Sequence, residues 1–299
     1  MNYKSLGRSE LLVSRIGFGC MSLKEEAEAT RLIHRGLESG INFFDTADLY
    51  DKGENELMIG RILRGRRDKV VLATKVGNQW RSDGSGWDWN PRKAYILQAV
   101  EGSLKRLQTD RIDLYQLHGG TMEDPIDEVI ETFELLKKQG KIRYYGISSI
   151  RPNVIREYSK RSGIVSVMMQ YSLLDRRPEG TCLPLLEEKG ISVLARGAVA
   201  KGLLAGKPAL PYLNYDISEV EQVIRAVAAC SGSTRTPAQT ALQFILGNPA
   251  ITTAVTGLRT MEQLEDVVKT LEAPWLTDAE RLSLSEATGP PGQDYEQYL

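Results

Sequence analysis

The chain has 299 residues, 41% hydrophobic and 26% charged, with a formal net charge of -1. That length suits one large globular unit or two modest ones, and near-neutrality gives no electrostatic reason to expect nucleic acid or a membrane surface as a partner. No stretch approaches the ~20 apolar residues of a membrane span, "MNYKSLGRSE" lacks the apolar core of a signal peptide, and three scattered cysteines, Cys20, Cys182 and Cys230, argue for a reducing, cytoplasmic setting.

In chain order, "MNYKSLGRSELLVS" alternates enough to form a small β-hairpin. A repeated pattern follows, in which short β-rich runs end in polar residues and lead into helical stretches. The predicted strands are 14–19, 41–46, 69–75, 111–118, 143–149, 165–170, 191–196 and 250–257. Between them, "KEEAEATRLIHRGLES", "PRKAYILQAVEGSLKRLQ" and "PIDEVIETFELLKKQ" carry apolar residues at three- and four-residue steps, as amphipathic helices do. Gly40, Gly140 and Gly190 sit where a helix ends before the next strand, the usual place for a C-terminal cap. Eight strand–helix units in a chain of this length point to an α/β fold, a closed (β/α)8 TIM barrel, rather than to a doubly wound sheet. No linker interrupts it, so a single domain over 1–299 is expected, with the hairpin capping the barrel floor. The longest inserts are "GNQWRSDGSGWDWNP" after strand three and "GAVAKGLLAGKPALPYLNYD" after strand seven, and "GPPGQDYEQYL" reads as a surface tail.

Side chains at the C-terminal strand ends of such a barrel converge on one mouth. Strand two offers Asp45 and, in the turn beyond, Tyr50; strand three offers Lys75 and strand four His118. Ser148 and Ser149, Gln170 and Arg196 end the next three strands. Taken singly, each has an ordinary reading: Asp45 as a helix cap, Lys75 as a solvated surface group, His118 as a satisfied loop residue, Tyr50 as half-exposed packing. Together they suggest acid–base chemistry. A free tyrosine, with a pKa of about 10, is a poor acid at neutral pH. A lysine ammonium beside it favours the phenolate, and an aspartate keeps that lysine charged and oriented. The tyrosine can then protonate an oxygen that is gaining negative charge, while the histidine donates a hydrogen bond to the same oxygen. With two histidines and no Cys-x-x-Cys, no metal site is expected. "GFGCMS" and "GLLAGKP" are near misses of the dinucleotide fingerprint and the Walker A loop.

This constellation resembles the aldo-keto reductase family over nearly the whole chain, most specifically in "NFFDTADLYDKGENE", "VLATKVG", "SLKRLQTDRIDLYQLH", "YYGISS", "MMQYSLLDRR" and "GLLAGK". The branch is the bacterial one near inositol-related dehydrogenases and relatives of potassium-channel β subunits. The resemblance implies a barrel that binds NADPH (or NADP+) extended, without a Rossmann domain, and reduces a small-molecule aldehyde or ketone. Asp45, Tyr50, Lys75 and His118 match the family's catalytic tetrad. Ser148, Ser149 and Gln170 match the positions that hold the nicotinamide carboxamide, although Ser149 replaces the usual Asn. Gly19, Cys20 and Met21 would lie under the nicotinamide ribose. Strand seven departs from the family's aromatic-Ser-Pro-Leu: Arg196, Gly197, Ala198 and Val199 stand there, and the planar Arg196 guanidinium could stack on the ring. Gly202, Leu203 and Leu204 fall where backbone amides cradle the pyrophosphate. Gly257, Leu258, Arg259, Gln263 and Asp266 match the surroundings of the adenosine ribose and its phosphate, with Val267 in place of the adenine-contacting Asn. Arg259, at a helix entry, would grip a 2′-phosphate and set a preference for NADPH.

Two other functions share parts of this pattern. One is an NADPH-binding sensor subunit with little turnover. The other is a barrel lyase using Lys75 as a Schiff-base lysine, which requires a lysine without a carboxylate clamp. Trp80, Trp87 and Trp89 crowd one polar insert; they either pack that loop down or supply an apolar wall to the substrate pocket. Nothing in the pattern fixes an oligomeric state.

Overall fold

The computed structural model describes residues 1–290; the expected tail lies, from residue 291 on, outside them. The hairpin is present: β1 (Tyr3–Ser5) pairs antiparallel with β2 (Leu12–Ser14). The repeating units then run β3 (Ile16–Gly19), α1 (Glu26–Glu38), β4 (Phe43–Asp45), α2 (Glu54–Ile62) and β5 (Val71–Val76). A second hairpin, β6 (Asn78–Trp80) with β7 (Trp87–Trp89), precedes α3 (Lys93–Leu107), β8 (Ile112–Leu117), α4 (Ile126–Lys138), β9 (Ile142–Ser148) and α5 (Pro152–Arg161). The chain continues through β10 (Ser166–Gln170), α6 (Cys182–Glu188), β11 (Ser192–Arg196), α7 (Ile217–Ser231), α8 (Pro237–Leu246), β12 (Ile251–Gly257), α9 (Met261–Val268) and α10 (Asp278–Ala287). Strands β3, β4, β5, β8, β9, β10, β11 and β12 pair in parallel in that order and close on themselves. All eight predicted strands fall on these, with ends displaced by at most two residues.

Two apolar clusters hold the barrel. The larger fills the layer between strands and helices, with Phe18, Ile33, Ile59, Tyr115, Phe133 and Leu242 among its fully buried members. The smaller lies inside the barrel, where Leu6, Leu11 and Val13 of the N-terminal hairpin meet Phe43, Val71, Leu114, Val165 and Leu194. The hairpin therefore closes the floor. Gly7 makes that fit possible: its φ is +54°, and a Cβ there would come within 2.2 Å of the Val165 carbonyl oxygen. Local chemistry sets the helix ends as well. Thr236 caps α8 in a reciprocal box with Gln239, and Pro237 opens that helix, where its missing N–H costs nothing. With the floor plugged by apolar side chains, the mouth is left for polar groups.

Candidate active site

The end of β4 turns Asp45 into the barrel, and β5, paired beside it, turns Lys75 toward the same point. Lys75 is fully buried, and its ammonium has three acceptors: Asp45 Oδ2 at 2.7 Å, the Thr46 carbonyl at 2.8 Å and Tyr50 Oη at 3.2 Å. Gln116 Nε2 on β8 donates to the other Asp45 oxygen at 3.4 Å. Burial pushes the Asp45 carboxyl up, against Lys75 and Gln116. Burial likewise opposes the Lys75 charge, but Asp45 and Tyr50 outweigh it and hold the ammonium above its ordinary range. The ion-paired form is the one that uses all three hydrogen bonds, since a lone buried charge would be costly.

Tyr50 sits in the turn between β4 and α2, half-buried, with the Lys75 ammonium 4.9 Å from its ring centre. Because the ammonium donates to the phenol oxygen, the Tyr50 hydroxyl hydrogen is left to point elsewhere. His118 directly follows β8, and its ring stands edge-on to Tyr50 with centroids 5.9 Å apart. Burial, then the charges of Lys75 and Arg196, lower its pKa to about 3. The imidazole is therefore neutral at pH 7 and can donate from only one nitrogen; Nδ1 is buried with no partner among the described residues.

Beneath these four lies a polar layer that the sequence reading missed. Thr46 Oγ1 donates to Asn55 Oδ1 at 2.7 Å, and Asn55 Nδ2 donates to the Cys20 carbonyl at 2.9 Å. Thr74 Oγ1 donates to Glu56 at 2.5 Å, and Arg106 Nε to the other Glu56 oxygen at 2.8 Å. Asp48 is buried among them, accepting from Tyr95 Oη at 3.4 Å. Burial first, and then the Glu56 charge, push the Asp48 carboxyl up to about 8. The usable signal was "ENE" opening α2: acids belong in a first helical turn, but here the turn faces the barrel.

The remaining strand ends form a contiguous second arc. Around the closed barrel, β4, β5 and β8 carry the ionisable cluster, while β9, β10, β11, β12 and β3 bring Ser148, Gln170, Arg196, Gly257 and Gly19 side by side. Gln170 already uses its amide within the protein: Arg196 Nη1 donates to its Oε1 at 3.1 Å, and its Nε2 donates to Asp175 Oδ2 at 2.7 Å and Tyr212 Oη at 3.1 Å. Ser149 is buried, and its hydroxyl accepts from the Arg151 amide at 3.2 Å. Arg196 and Gly197 are exposed beside the buried Ala198 and the half-buried Val199. Gly202 is half-buried and Leu203 and Leu204 are buried; Lys207, which sequence reasoning did not single out, bends back so that its ammonium donates to the Lys201 carbonyl at 2.9 Å. Cys20 is buried and Met21 is exposed. At the far end of the arc, Leu258 is buried, while Arg259 and Gln263 are exposed, with the Arg259 amide donating to Gln263 Oε1 at 2.9 Å. Asp266 points away to α8, where its carboxylate accepts from Thr236 at 2.9 Å and Gln239 at 2.8 Å. Val267 is buried. Among the described residues no group of three or more His, Cys, Asp or Glu is placed to hold a metal ion, and no helix is long and apolar enough to cross a membrane.

A family model for the aldo/keto reductase family matches residues 15–287. The chain belongs to that family. It is 50% identical over 298 residues to YqkF of Bacillus subtilis (strain 168), an oxidoreductase described only as uncharacterized, covering 96% of this chain and 97% of that one. Among solved structures it resembles the holo form of the aldo-keto reductase AKR11C1 from Bacillus halodurans, with a TM-score of 0.92 and 50% identity, covering 99% of this chain and all of that one. The glycerol dehydrogenase AKR11B4 from Gluconobacter oxydans superimposes with a TM-score of 0.83 at 26% identity, covering 95% of this chain and 96% of that one.

In this aldo-keto reductase, the tryptophan-rich insert is a hairpin, not a loop. The register Trp80↔Trp87 and Asn78↔Trp89 puts all three indoles on one face, with Gln79 and Asp88 on the other. Trp89 lies over Gly77 and Gly119, next to His118, and its Nε1 donates to Asp124 at 2.9 Å. Trp80 is half-buried and donates to the Leu49 carbonyl at 3.1 Å; Trp87 is 48% exposed. The Schiff-base alternative meets a direct obstacle. Lys75 carries the carboxylate clamp that reading excluded, and its three contacts leave no free nitrogen lone pair to attack a carbonyl.

Proposed function

We propose that the protein reduces a small aldehyde or ketone to an alcohol with NADPH as coenzyme. The observation that carries this reading is the buried Lys75 ammonium bonded at once to Asp45 and to the phenol oxygen of Tyr50, beside a neutral His118. Hydride for the carbonyl carbon is what NADPH supplies when bound. The Tyr50 hydroxyl gives its proton to the carbonyl oxygen, and Lys75, kept charged by Asp45, stabilises the phenolate left behind. His118, neutral, donates one N–H to the same oxygen and orients the carbonyl.

The residues on the second arc fit the coenzyme. Ser22 Oγ is buried without a partner among the described residues, and a Cβ on neighbouring Gly257 would lie 3.4 Å from it, so a polar group can be received there. We assign Ser148, Ser149, Gln170, Arg196, Gly197, Ala198 and Val199 to the nicotinamide end, with Gly19, Cys20 and Met21 beneath its ribose. Gly202 and Leu203 fall to the pyrophosphate, and Gly257, Leu258, Arg259 and Gln263 to the adenosine end. Gln170 would exchange a partner in the protein for the carboxamide, and Asp266 would act through α8. Trp87 and Trp89 are the candidate walls of the substrate pocket, because the Trp80 indole is committed to Leu49. Because the Gluconobacter relative is named a glycerol dehydrogenase, small polyols and their carbonyl forms join simple aldehydes as candidate substrates. With three free cysteines, a cytoplasmic setting suits the chain.

The test is NADPH oxidation across a panel of aldehydes, ketones and sugars. Tyr50→Phe should lower the rate at least ~100-fold, the loss typical of removing a general acid, with NADPH affinity unchanged. Near wild-type turnover in that variant would remove Tyr50 from the reaction. No turnover by the wild type, despite tight NADPH binding, would favour a sensor.

A further inference from the structure

The path from Asp45 to α2 is unusual. Asp51, Lys52 and Gly53 adopt φ of 49°, 55° and 90°, so three consecutive residues, two of them with side chains, are left-handed directly after Tyr50. Such a conformation persists only where surrounding contacts impose it. Contacts on either side of Tyr50 come from one element, the β6–β7 hairpin. Trp80 Nε1 donates to the Leu49 carbonyl at 3.1 Å, the peptide immediately before Tyr50. Lys52, just past Tyr50, holds its ammonium 5.1 Å from the centre of the Trp80 ring and donates to the Gly84 carbonyl in the hairpin tip at 3.4 Å. From below, Tyr95 Oη lies 3.3 Å from the Asn78 carbonyl on β6 and 3.4 Å from Asp48. The hairpin thus touches the chain on both sides of Tyr50. Elsewhere the turn is held by Lys75 on the Tyr50 hydroxyl, by the Arg106 side chain packed against Gly53, and by the exposed Lys24–Asp51 pair at 2.7 Å, of a kind that contributes little.

We propose that the β6–β7 hairpin is a clamp for the proton donor, with Trp80 as a positioning residue that acts through the Leu49 carbonyl and Lys52 to fix the phenol of Tyr50 over Lys75. This rests on the assignment of Tyr50 as the acid. It gives Trp80 a role different from that of a pocket wall: a wall sets which substrates bind, whereas a clamp sets how often the phenol stands in reacting geometry. The effect should then appear in kcat, uniformly across substrates, and not in KM or coenzyme affinity.

Trp80→Phe keeps an aromatic ring under Lys52 and deletes the N–H. Misplacing a reacting group by about 1 Å can cost ~100-fold, so a partial loosening is expected to lower kcat about tenfold, with KM within about twofold for both small and bulky aldehydes. Lys52→Met, at an exposed position, should lower kcat about threefold in the same way. The decisive comparison is in the Tyr50→Phe background, where no phenol remains to be positioned: adding Trp80→Phe should then cost nothing further. An equal loss in both backgrounds would overturn the clamp, as would a KM or substrate-ranking change with kcat intact. If Trp80→Phe fails to fold, the same comparison made with Lys52→Met stands in for it. A Tyr50→Phe enzyme of normal activity would instead overturn the assignment of the acid. A large Tyr50→Phe loss beside unchanged Trp80→Phe and Lys52→Met enzymes would overturn the clamp alone.

Discussion

Replacing Asp48 with Asn asks what charge lies beneath Asp45, Tyr50, Lys75 and His118. Asp48 is 8% exposed, and its Oδ1 has no hydrogen-bond partner among the described residues. Its surroundings are the Glu56 carboxylate, the Arg106 guanidinium, and the Tyr95 and Tyr115 phenols. With the carboxyl pushed up to about 8 by burial and Glu56, Asp48 is neutral in the folded protein at pH 7 and ionised in the unfolded chain. The folded state then binds one more proton than the unfolded state between about pH 4 and pH 8, so this group's contribution to stability falls as pH rises through that window and levels off above it. At about 1.4 kcal/mol per pH unit, the full effect is about 6 kcal/mol, and about 3 kcal/mol between pH 5.5 and 7.5. Asparagine keeps the shape and the donor but does not titrate. In urea unfolding at several pH values, the wild type should lose about 3 kcal/mol relative to Asp48→Asn over that interval, a relative midpoint shift of roughly 1 M urea. All other titrating groups cancel in the difference. Stability curves that stay parallel for the two proteins would show that Asp48 is charged in the fold, and the reading of this layer would fail.

Further outcomes follow from the two arcs of the mouth. A charge-assisted contact is worth roughly 1.5–3 kcal/mol, so Arg259→Ala should weaken NADPH binding about 10- to 150-fold and leave NADH binding unchanged; equal wild-type affinities for the two coenzymes would refute the role given to Arg259. Trp87→Ala and Trp89→Ala should alter KM or ranking for bulky carbonyls without touching coenzyme affinity, and two variants with the parent's substrate ranking would show that these indoles only pack the hairpin.

Much of this architecture was legible because it depends on period and punctuation. The barrel strands read as β-rich runs ending in polar residues, and Gly40, Gly140 and Gly190 indeed leave their helices with φ of 87°, 73° and 61°. Asp45, Lys75 and His118 could be picked out because an ionisable residue at the end of an apolar run has no packing reason to be there. Tyr50 lay further from its strand and was readable only through its partners. The hairpin at 78–89 was hidden because its short strands, Asn-Gln-Trp and Trp-Asp-Trp, hold no aliphatic residue and lie in a polar, glycine-containing stretch that reads as a loop. The layer of Asn55, Glu56 and Arg106 was hidden for a different reason: acids and amides in a first helical turn look like surface capping, and only the docking of α2 against the barrel turns them inward. Asp266 shows the limit of matching by position, since its carboxylate is taken by Thr236 and Gln239 on another helix.

The central claim, that this site moves hydride to a carbonyl carbon while Tyr50 protonates the oxygen, is tested most directly by isotope transfer. The enzyme is supplied with NADPH deuterated at the reactive C4 position and a small aldehyde, and the alcohol is analysed by mass spectrometry. Deuterium should appear on the carbinol carbon with wild-type enzyme, and at least ~100-fold more slowly with Tyr50→Phe at saturating coenzyme. Absence of deuterated alcohol across the aldehyde panel, from protein that binds NADPH, would contradict it.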